Sequence, residues 1–313
     1  KGGQIGGKKS VERLKELWGQ EKYKEIKRKI GKRAIEKLRL KYGADLTKKT
    51  IEGKIKKRIR ESQELERIHS EFFTNHIVKL NTSSVKLSNN DKKRKIRLPN
   101  EMSSELAEEI GIHIGDGCLS TRHYFSVKTN KIEEEYMKNF VFPLYKRLYN
   151  VDLKLMRLPS VSGFELYSKG IYEFKNKVIG LPIGEKIERL EVPNTIINTK
   201  NKEIYKAFIR GLFDTDGCAV IVKKDYPVIS ICIKSSKLIG QTKEMLNKLG
   251  FIVFANNQLI QISGTVMLNK WVKEINSHNP KNIKQLQRAC SITDSTEPCG
   301  GPNPGSNPGM LVH

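Results

Sequence analysis

The sequence predicts an α+β fold in which one pattern of helices and strands occurs twice, preceded by a basic helical N-terminal extension. Two stretches support this prediction. Both "LAEEIGIHIGDG" at 106–117 and "KAFIRGLFDTDG" at 206–217 run an apolar helix into an Asp-Gly pair. After each stretch the periodicity indicates strand, strand, helix, strand, strand, helix, so we expect two pseudo-symmetric αββαββα repeats.

The N-terminal extension, expected over residues 1–79, contains a twelve-residue repeat marked by Gly7, Gly19, Gly31 and Gly43, with apolar residues at helical spacing between the glycines. The first 100 residues hold 30 basic and 12 acidic side chains, and the chain has a formal net charge of +24. This surplus favours a polyanionic partner, because each cation that meets a phosphate releases condensed counterions. A helical region whose charges simply face water is the alternative.

Composition narrows the class of protein. With 313 residues, 37% of them hydrophobic, the chain can bury a substantial core, and no stretch resembles a transmembrane helix or a signal peptide. Five cysteines without a C-x-x-C pair argue against a disulfide framework and a zinc module. We expect an intracellular protein, cytoplasmic or nucleoid-associated and not secreted, whose partner is nucleic acid rather than a membrane.

Changes in composition divide the rest of the chain. Residues 80–97 are polar and charge-rich and indicate a linker. The first repeat is expected over 98–184, an inter-repeat linker over 185–203 and the second repeat over 204–287. Residues 288–313, rich in Gly and Pro, are expected to be disordered.

Within each repeat the elements follow from alternation and helical spacing. In the first, the strands are "RHYFSVKTN", "DLKLMRLPS" and "GFELYSKG", and the helices are "KIEEEYMKNFVFPLYKRLYN" and "IYEFKNKVIG". In the second, the strands are "AVIVKK", "PVISICIKS", "FIVFANN" and "QLIQISG", and the helices are "KLIGQTKEMLNKLG" and "VMLNKWVKEINS".

The two helices that end at Asp-Gly, here called the motif helices, have small residues four positions apart: Gly111 and Gly115, and Gly211 and Thr215. Such stripes let two helices approach closely, which would bring Asp116 and Asp216 side by side. Two carboxylates that close repel each other unless a divalent cation lies between them. The pattern therefore predicts a hard-metal site with oxygen ligands.

The stretches "EIGIHIGDG" (109–117) and "IRGLFDTDG" (209–217) resemble the two signature helices of LAGLIDADG homing endonucleases, in the single-chain form with both motifs. The resemblance covers 98–287 and departs at Ile114, which replaces an acidic residue. It implies that the motif helices pack at the centre. It also implies that two antiparallel sheets form a saddle on double-stranded DNA with a long asymmetric target, and that the chain acts as a monomer.

The resemblance also implies the metal ligands. The acidic residue before the last glycine of each motif maps onto Asp116 and Asp216, and Gly115 and Thr215 lie beside them. The expected cofactor is Mg²⁺ or Mn²⁺.

Further catalytic residues follow from the same resemblance. The segment "GLPIGEKIERLEVPN" is similar to the family's inter-repeat segment and implies a lysine near the metals, Lys186. In the second half the equivalent is Lys281, with Lys284 as the second choice. Asn130 resembles the polar residue that holds metal-bound water.

Strand alternation turns Phe125, Val127, Ile229, Ile231 and Ile233 to the core. The polar residues on the opposite face, together with one lysine near the third strand, are candidates for DNA contacts in the major groove: Arg122, Tyr124, Ser126, Lys128, Lys154, Ser230 and Lys234. His113 is expected to be a packed histidine, and Cys118 and Cys218 small buried residues.

The implied reaction is metal-assisted hydrolysis of one phosphodiester in each DNA strand, with metal ions held by Asp116 and Asp216. An intron RNA maturase or a non-cleaving DNA-binding regulator of the same fold is the alternative, and the retention of both aspartates favours cleavage. An intein is disfavoured, because the sequence opens on Lys1 and places Pro280 after His278-Asn279. We therefore expect a freestanding or intron-encoded nuclease.

Overall fold

A computed structural model describes residues 25, 29, 52–185, 189–222 and 226–293. The chain forms two compact units, Lys1–Arg60 and Glu61–His313. In the first unit the described residues are helical. The glycines of the twelve-residue repeat lie outside the described residues, so the repeated helical extension stays a prediction.

The first half of the second unit contains one αββαββα repeat. Helical residues 61–68, a turn at Ser70–Phe72 and the short helix α1 (Asn89–Lys93) precede it. The elements of the repeat are α2 (Ser104–Asp116), β1 (Gly117–Leu119), β2 (Phe125–Asn130), α3 (Glu134–Tyr136), α4 (Phe142–Tyr149), β3 (Met156–Arg157), β4 (Val161–Leu166) and α5 (Lys169–Glu173). Single turns at Lys131–Glu133 and Met137–Val141 join α3 and α4 to β2, and the turn Phe174–Ile179 extends α5.

The second half repeats this order. Its elements are α6 (Asn194–Ile197), α7 (Lys202–Asp216), β5 (Gly217–Val222), β6 (Tyr226–Cys232), α8 (Ser236–Lys248), β7 (Val253–Ala255), β8 (Leu259–Ser263), α9 (Thr265–Glu274) and α10 (Pro280–Thr293). The two sheets are antiparallel and have equivalent strand orders, β1-β2-β4-β3 and β5-β6-β8-β7. The prediction of two pseudo-symmetric repeats with antiparallel sheets is confirmed.

The motif helices α2 and α7 begin and end at residues that the sequence makes recognisable. The Ser103 hydroxyl accepts a hydrogen bond from the backbone N–H of Leu106, and the Asn201 side chain caps α7 in the same way. Each helix then passes directly into a strand at Gly117 or Gly217. A Cβ at Gly117 would lie 2.6 Å from the Cα of His113, so only glycine allows this sharp exit.

The motif helices pack against each other at the centre, with backbone close to backbone. A Cβ added to Gly111 would overlap the carbonyl oxygen of Phe208 and lie 2.9 Å from the backbone nitrogen of Leu212. A Cβ added to Gly211 would overlap the carbonyl oxygen of Glu108. The two glycines therefore set the distance between the two halves.

The predicted linker at 80–97 is packed rather than open. Leu80 and Ile96 are buried in the core. Asp91 is fully buried, forms a capping box with Ser88 and accepts a 3.0 Å hydrogen bond from the backbone N–H of Gly170. Sequence composition marked these residues as a linker because their charges are numerous, but the charged side chains flank a buried carboxylate that ties α1 to α5.

Residues 61–73, which sequence analysis assigned to the extension, contact the second half. The Ser62 hydroxyl donates to the carbonyl of Gly250 at 2.7 Å, and Glu66 pairs with Lys270. The rings of Phe72 and Phe73 lie 6.2 and 5.8 Å from the ring of Tyr205. These contacts make the segment part of the second unit.

The C-terminal boundary also differs from the prediction. Helix α10 continues to Thr293, and Ala289 and Cys290 are buried, so the prediction of disorder from residue 288 is wrong for 288–293. Residues 294–313 lie outside the described residues. None of the helices in the described part of the chain is both long and apolar enough to cross a membrane.

The seam predicts opposite effects for two Gly→Ala substitutions. Gly111→Ala should lower the free energy of unfolding by about 1–3 kcal/mol, because its methyl group must displace the backbone of α7. Gly240→Ala in α8, where nothing lies within 4 Å of the new Cβ, should raise it by about 0.5–1 kcal/mol. Urea denaturation measures both, and a loss of stability in Gly240→Ala as large as in Gly111→Ala would refute a specific role for the seam.

Candidate functional site

The two motif aspartates are the last residues of their helices, and both are half-buried. A Cβ added to Gly115 would overlap the Thr215 hydroxyl and lie 2.9 Å from a carboxylate oxygen of Asp216. The Asp216 carboxylate therefore reaches across to the residue that precedes Asp116. The close approach of the helices brings oxygen donors from both halves to one end of the seam.

Thr215 takes the place in α7 that Gly115 has in α2. Its hydroxyl donates back into its own helix, to the carbonyl oxygens of Gly211 at 3.2 Å and Leu212 at 3.0 Å. With its polar group turned to the helix backbone, Thr215 acts as a small residue of the seam.

A cleft opens beside Asp216. It has a volume of about 690 Å³, and Gly115 and Asp216 line it together with residues from the end of the second sheet. Lys234, Asn256 and Gln258 supply polar groups to this cleft. Lys234 was predicted as a DNA contact, and the structure places it in the same cleft as a motif carboxylate.

The predicted catalytic lysines fall in different surroundings. Lys186 lies outside the described residues. The adjoining residues of its segment contact the end of β1, because the Gly184 N–H donates to the carbonyl oxygen of Leu119 at 2.7 Å. Lys284 is exposed.

Lys281 forms a 2.6 Å ion pair with Glu133, whose side chain is 5% exposed. Asn279 and Thr129 also donate to the Glu133 carboxylate. These donors, led by Lys281, hold the pKa of Glu133 below its usual value although burial opposes this. Lys281 thus neutralises a buried acid of the first half.

Asn130 is exposed at the end of β2. Its side-chain oxygen accepts a 3.1 Å hydrogen bond from the backbone N–H of Ile132 and caps the turn that follows. This contact is a structural reason for asparagine at this position, separate from the water-holding role that the resemblance implies.

A buried polar cluster, made of Glu108, Arg210, Asp214, Ser277 and His278, joins the halves above the motif aspartates. The guanidinium of Arg210 donates twice to the Glu108 carboxylate, at 2.9 and 2.7 Å, and the His278 ring lies 2.6 Å from the same carboxylate. Asp214 accepts from the Ser277 hydroxyl at 2.5 Å and from the backbone N–H of His278 at 2.9 Å.

This polar cluster contains a second set of possible metal ligands. Glu108, Asp214 and His278 each offer one ligand atom, and these atoms lie within 4.8 Å of one another. Arg210 already supplies positive charge to Glu108, and burial raises the pKa of Asp214 to about 7. The cluster is therefore better explained as an internal ion and hydrogen-bond network than as a metal site.

The first residue of the first signature stretch, Glu109, is also buried. Its carboxylate accepts hydrogen bonds from Tyr145, from Tyr149 at 3.0 Å and from Lys175. The Lys175 ammonium lies over the rings of Phe125, Tyr145 and Tyr149 at 5.3 to 5.8 Å, and burial lowers its pKa. This network fixes α2 to α4 and to the turn after α5.

The outer faces of the sheets carry the predicted DNA contacts. Arg122, Lys154 and Lys234 are exposed and Tyr124 is half-buried. Lys128 forms a 2.7 Å ion pair with Glu165 on the neighbouring strand. Ser126 and Ser230 are only 5% and 7% exposed, because longer side chains on adjacent strands cover them. Phe125, Val127, Ile229, Ile231 and Ile233 are buried, as predicted.

The cysteines after the motif glycines are not buried as predicted: Cys118 is exposed and Cys218 is half-buried. Both occupy the outer faces of their sheets, opposite Ser126 and Ser230 respectively, which explains the difference. His113 is 3% exposed and packs against Phe125, so the prediction of a packed histidine is confirmed.

A family model described as a LAGLIDADG-like domain matches residues 203–253. These residues run from the second motif helix through β5, β6 and α8 to the start of β7. Residues 203–253 therefore form a LAGLIDADG-like domain, and the resemblance of this chain to LAGLIDADG proteins is confirmed.

Two curated proteins are similar to part of the chain. One, from the A-type ATP synthase of Pyrococcus abyssi, is 27% identical over 167 residues, which are 53% of this chain and 16% of that protein. The replicative DNA helicase DnaB of Synechocystis sp. is 28% identical over 174 residues, 52% of this chain and 19% of that protein. The similarity thus spans less than a fifth of each relative.

Solved structures with a similar backbone include a mesophilic variant of the homing endonuclease I-DmoI, at 16% identity, with 58% of this chain and 97% of that chain covered and a TM-score of 0.41. The complex of I-DmoI with DNA and Mn has 19% identity, coverages of 55% and 96%, and a TM-score of 0.39. The N-terminal LAGLIDADG domain of DUF199/WhiA has 14% identity, coverages of 61% and 95%, and a TM-score of 0.37.

The buried pair of Glu109 and Lys175 predicts a large stability loss when one partner is removed. Lys175→Met should lower the free energy of unfolding by about 3–5 kcal/mol, because the Glu109 charge then stays buried without its counterion. Lys146→Met, which breaks the exposed pair with Asp152, should cost less than about 1 kcal/mol. Urea denaturation of both variants tests this, and equal losses would contradict it.

Proposed function

We propose that this chain is a site-specific, divalent-metal-dependent endonuclease of double-stranded DNA, of the LAGLIDADG homing endonuclease type. The observation that carries the proposal is the convergence of Asp116 and Asp216 at one end of a glycine-packed helix pair, beside an open cleft. The LAGLIDADG-like match at 203–253 supports it for the second half.

The donor set at the seam fits a hard divalent cation. Asp116 and Asp216 offer carboxylate oxygens from two helices, and the small residues Gly115 and Thr215 leave room between them. We propose that these two aspartates hold Mg²⁺ or Mn²⁺. When bound, such an ion would offset the negative charge that develops on a phosphodiester during hydrolysis.

Residues of this chain would then position the DNA. Lys234 lies in the Asp216 cleft, where its ammonium can pair with a backbone phosphate. Lys186 stays a proposed catalytic lysine on the strength of its sequence context. Lys281 fits this role less well, because its charge is used by the buried Glu133.

The two sheets would bind the two halves of one asymmetric target. Strand alternation places Arg122, Lys128 and Lys154 outward in the first half, and the +24 net charge favours association with the polyanion. Since one chain supplies both motif helices, we propose that it acts as a monomer, inside the cell, as an intron-encoded or freestanding enzyme. Cleavage of a plasmid that carries the gene's own flanks joined without the insert tests this context.

Removing either motif carboxylate should abolish double-strand cleavage but spare DNA binding. We expect Asp116→Asn and Asp216→Asn to lower the rate of plasmid linearisation by a hundredfold or more, on the order of several kcal/mol of lost charge stabilisation. The matched control Asp152→Asn changes an exposed aspartate and should cut at the wild-type rate. Gel shifts should give similar affinities for all four proteins. Full cleavage in both motif variants would overturn the assignment.

Metal removal should have the same effect without a mutation. Chelation should stop cleavage while the DNA complex persists, and added Mg²⁺ or Mn²⁺ should restore it. Specific binding with no cleavage in either metal would instead support the non-cleaving regulator of the same fold.

A further inference from the structure

The outer faces of the two sheets can be compared position by position, because the sheets share one register. Gly117 lies opposite Val127 in the first sheet, and Gly217 lies opposite Ile231 in the second. Counting from these pairs, Ser126 corresponds to Ser230 and Lys128 corresponds to Cys232. Any difference between the faces is therefore a difference in side chains on equivalent backbones.

The outer face of the first sheet carries charge at its centre. Ser126 lies opposite Glu165, and Glu165 pairs with Lys128 at 2.7 Å. In the second sheet, Ser230 lies opposite Gln261. A carboxylate in the first half is thus replaced by a carboxamide of the same shape in the second, and the lysine is replaced by a cysteine.

The second sheet has no charged residue in any of its four strands, 217–222, 226–232, 253–255 and 259–263. Its outer face instead exposes large apolar side chains: Val220 43%, Val222 37%, Tyr226 44% and Phe254 61%. Phe254 lies directly opposite Gln261. A face that avoids charge in so basic a protein calls for a partner surface that is itself partly apolar.

Exposed carboxamides lie at the end of this face. Asn256, Asn257 and Gln258 are exposed between β7 and β8. Asn256 and Gln258 also line the cleft beside Asp216, so this face is continuous with the proposed cutting site. A duplex that reaches the cleft would lie along the same face.

The major groove offers different chemistry at each base pair. Thymine presents an apolar methyl group, and adenine presents a donor and acceptor pair that fits the carboxamide of Asn or Gln. Guanine presents two acceptors that fit Lys or Arg, and cytosine presents a donor that fits Glu. The second face therefore matches A·T pairs, and the first face, with Lys128 and Glu165, matches G·C pairs.

We propose that the chain reads an asymmetric target in which the half bound by the second sheet is A·T-rich, with thymine methyl groups packed on Phe254 and Val220 and an adenine bound by Gln261. The half bound by the first sheet contains a G·C pair that Lys128 and Glu165 recognise. This inference rests on the proposed function, because it takes DNA as the ligand of both faces.

The first experiment selects bound duplexes from a random DNA pool with the full chain and then replaces thymine by uracil in the selected target. Uracil keeps every hydrogen bond of thymine and removes only the methyl group. Replacement in the A·T-rich half should weaken binding about three- to fivefold for each buried methyl group. The same replacement in the other half is the control and should leave the affinity unchanged.

The second experiment exchanges the equivalent residues. Gln261→Glu should shift one position of the A·T-rich half from adenine towards cytosine, and Glu165→Gln should shift one position of the other half from cytosine towards adenine. We expect each shift to be about fivefold to a hundredfold in relative affinity. Both substitutions keep side-chain size and lie on the outer faces, so the variants should fold.

The outcomes separate this inference from the proposed function. Specific binding to a target whose halves respond equally to uracil, or whose preferences ignore both exchanges, overturns the inference and leaves the nuclease proposal standing. No specific DNA binding overturns both. A dimer in solution that Phe254→Lys disrupts, with no effect of uracil on DNA affinity, would assign this face to a second copy and also overturn the inference.

Discussion

The structure depends on one close contact, the backbone approach of the two motif helices at Gly111 and Gly211. Each glycine lies where a methyl group would overlap a carbonyl oxygen of the other helix. Because both helices pass straight into the first strand of a sheet, the contact fixes the sheets as well as the helices. It also brings the Asp216 carboxylate to the end of the other helix, so architecture and proposed chemistry share one cause.

Buried charge reinforces this contact. Glu108 of the first half is held by Arg210 and His278 of the second, and Glu133 of the first is held by Lys281 and Asn279 of the second. A buried carboxylate is costly unless its partners are complete, so these ion pairs reward only one relative position of the halves. The seam sets the distance between the helices, and the polar network specifies their alignment.

The sequence predicted the features that recur at fixed spacing: the paired helices, the small-residue stripes and the alternating strands. It could not predict the partners of Glu108 or Glu133, since Arg210, His278 and Lys281 are distant in the chain and have no periodic signal. Charge density in 80–97 concealed the buried Asp91, and the outward Cys118 was misassigned because cysteine is usually buried. The prediction that Lys281 is catalytic met a structural competitor, its pair with Glu133.

One end of the seam is the proposed metal site, and the polar cluster above it is an internal network. Anomalous scattering from crystals of the protein soaked in Mn²⁺ distinguishes these two places directly. We expect density in contact with the carboxylates of Asp116 and Asp216. Density between Glu108, Asp214 and His278, with none at the two motif aspartates, would contradict the proposed metal site.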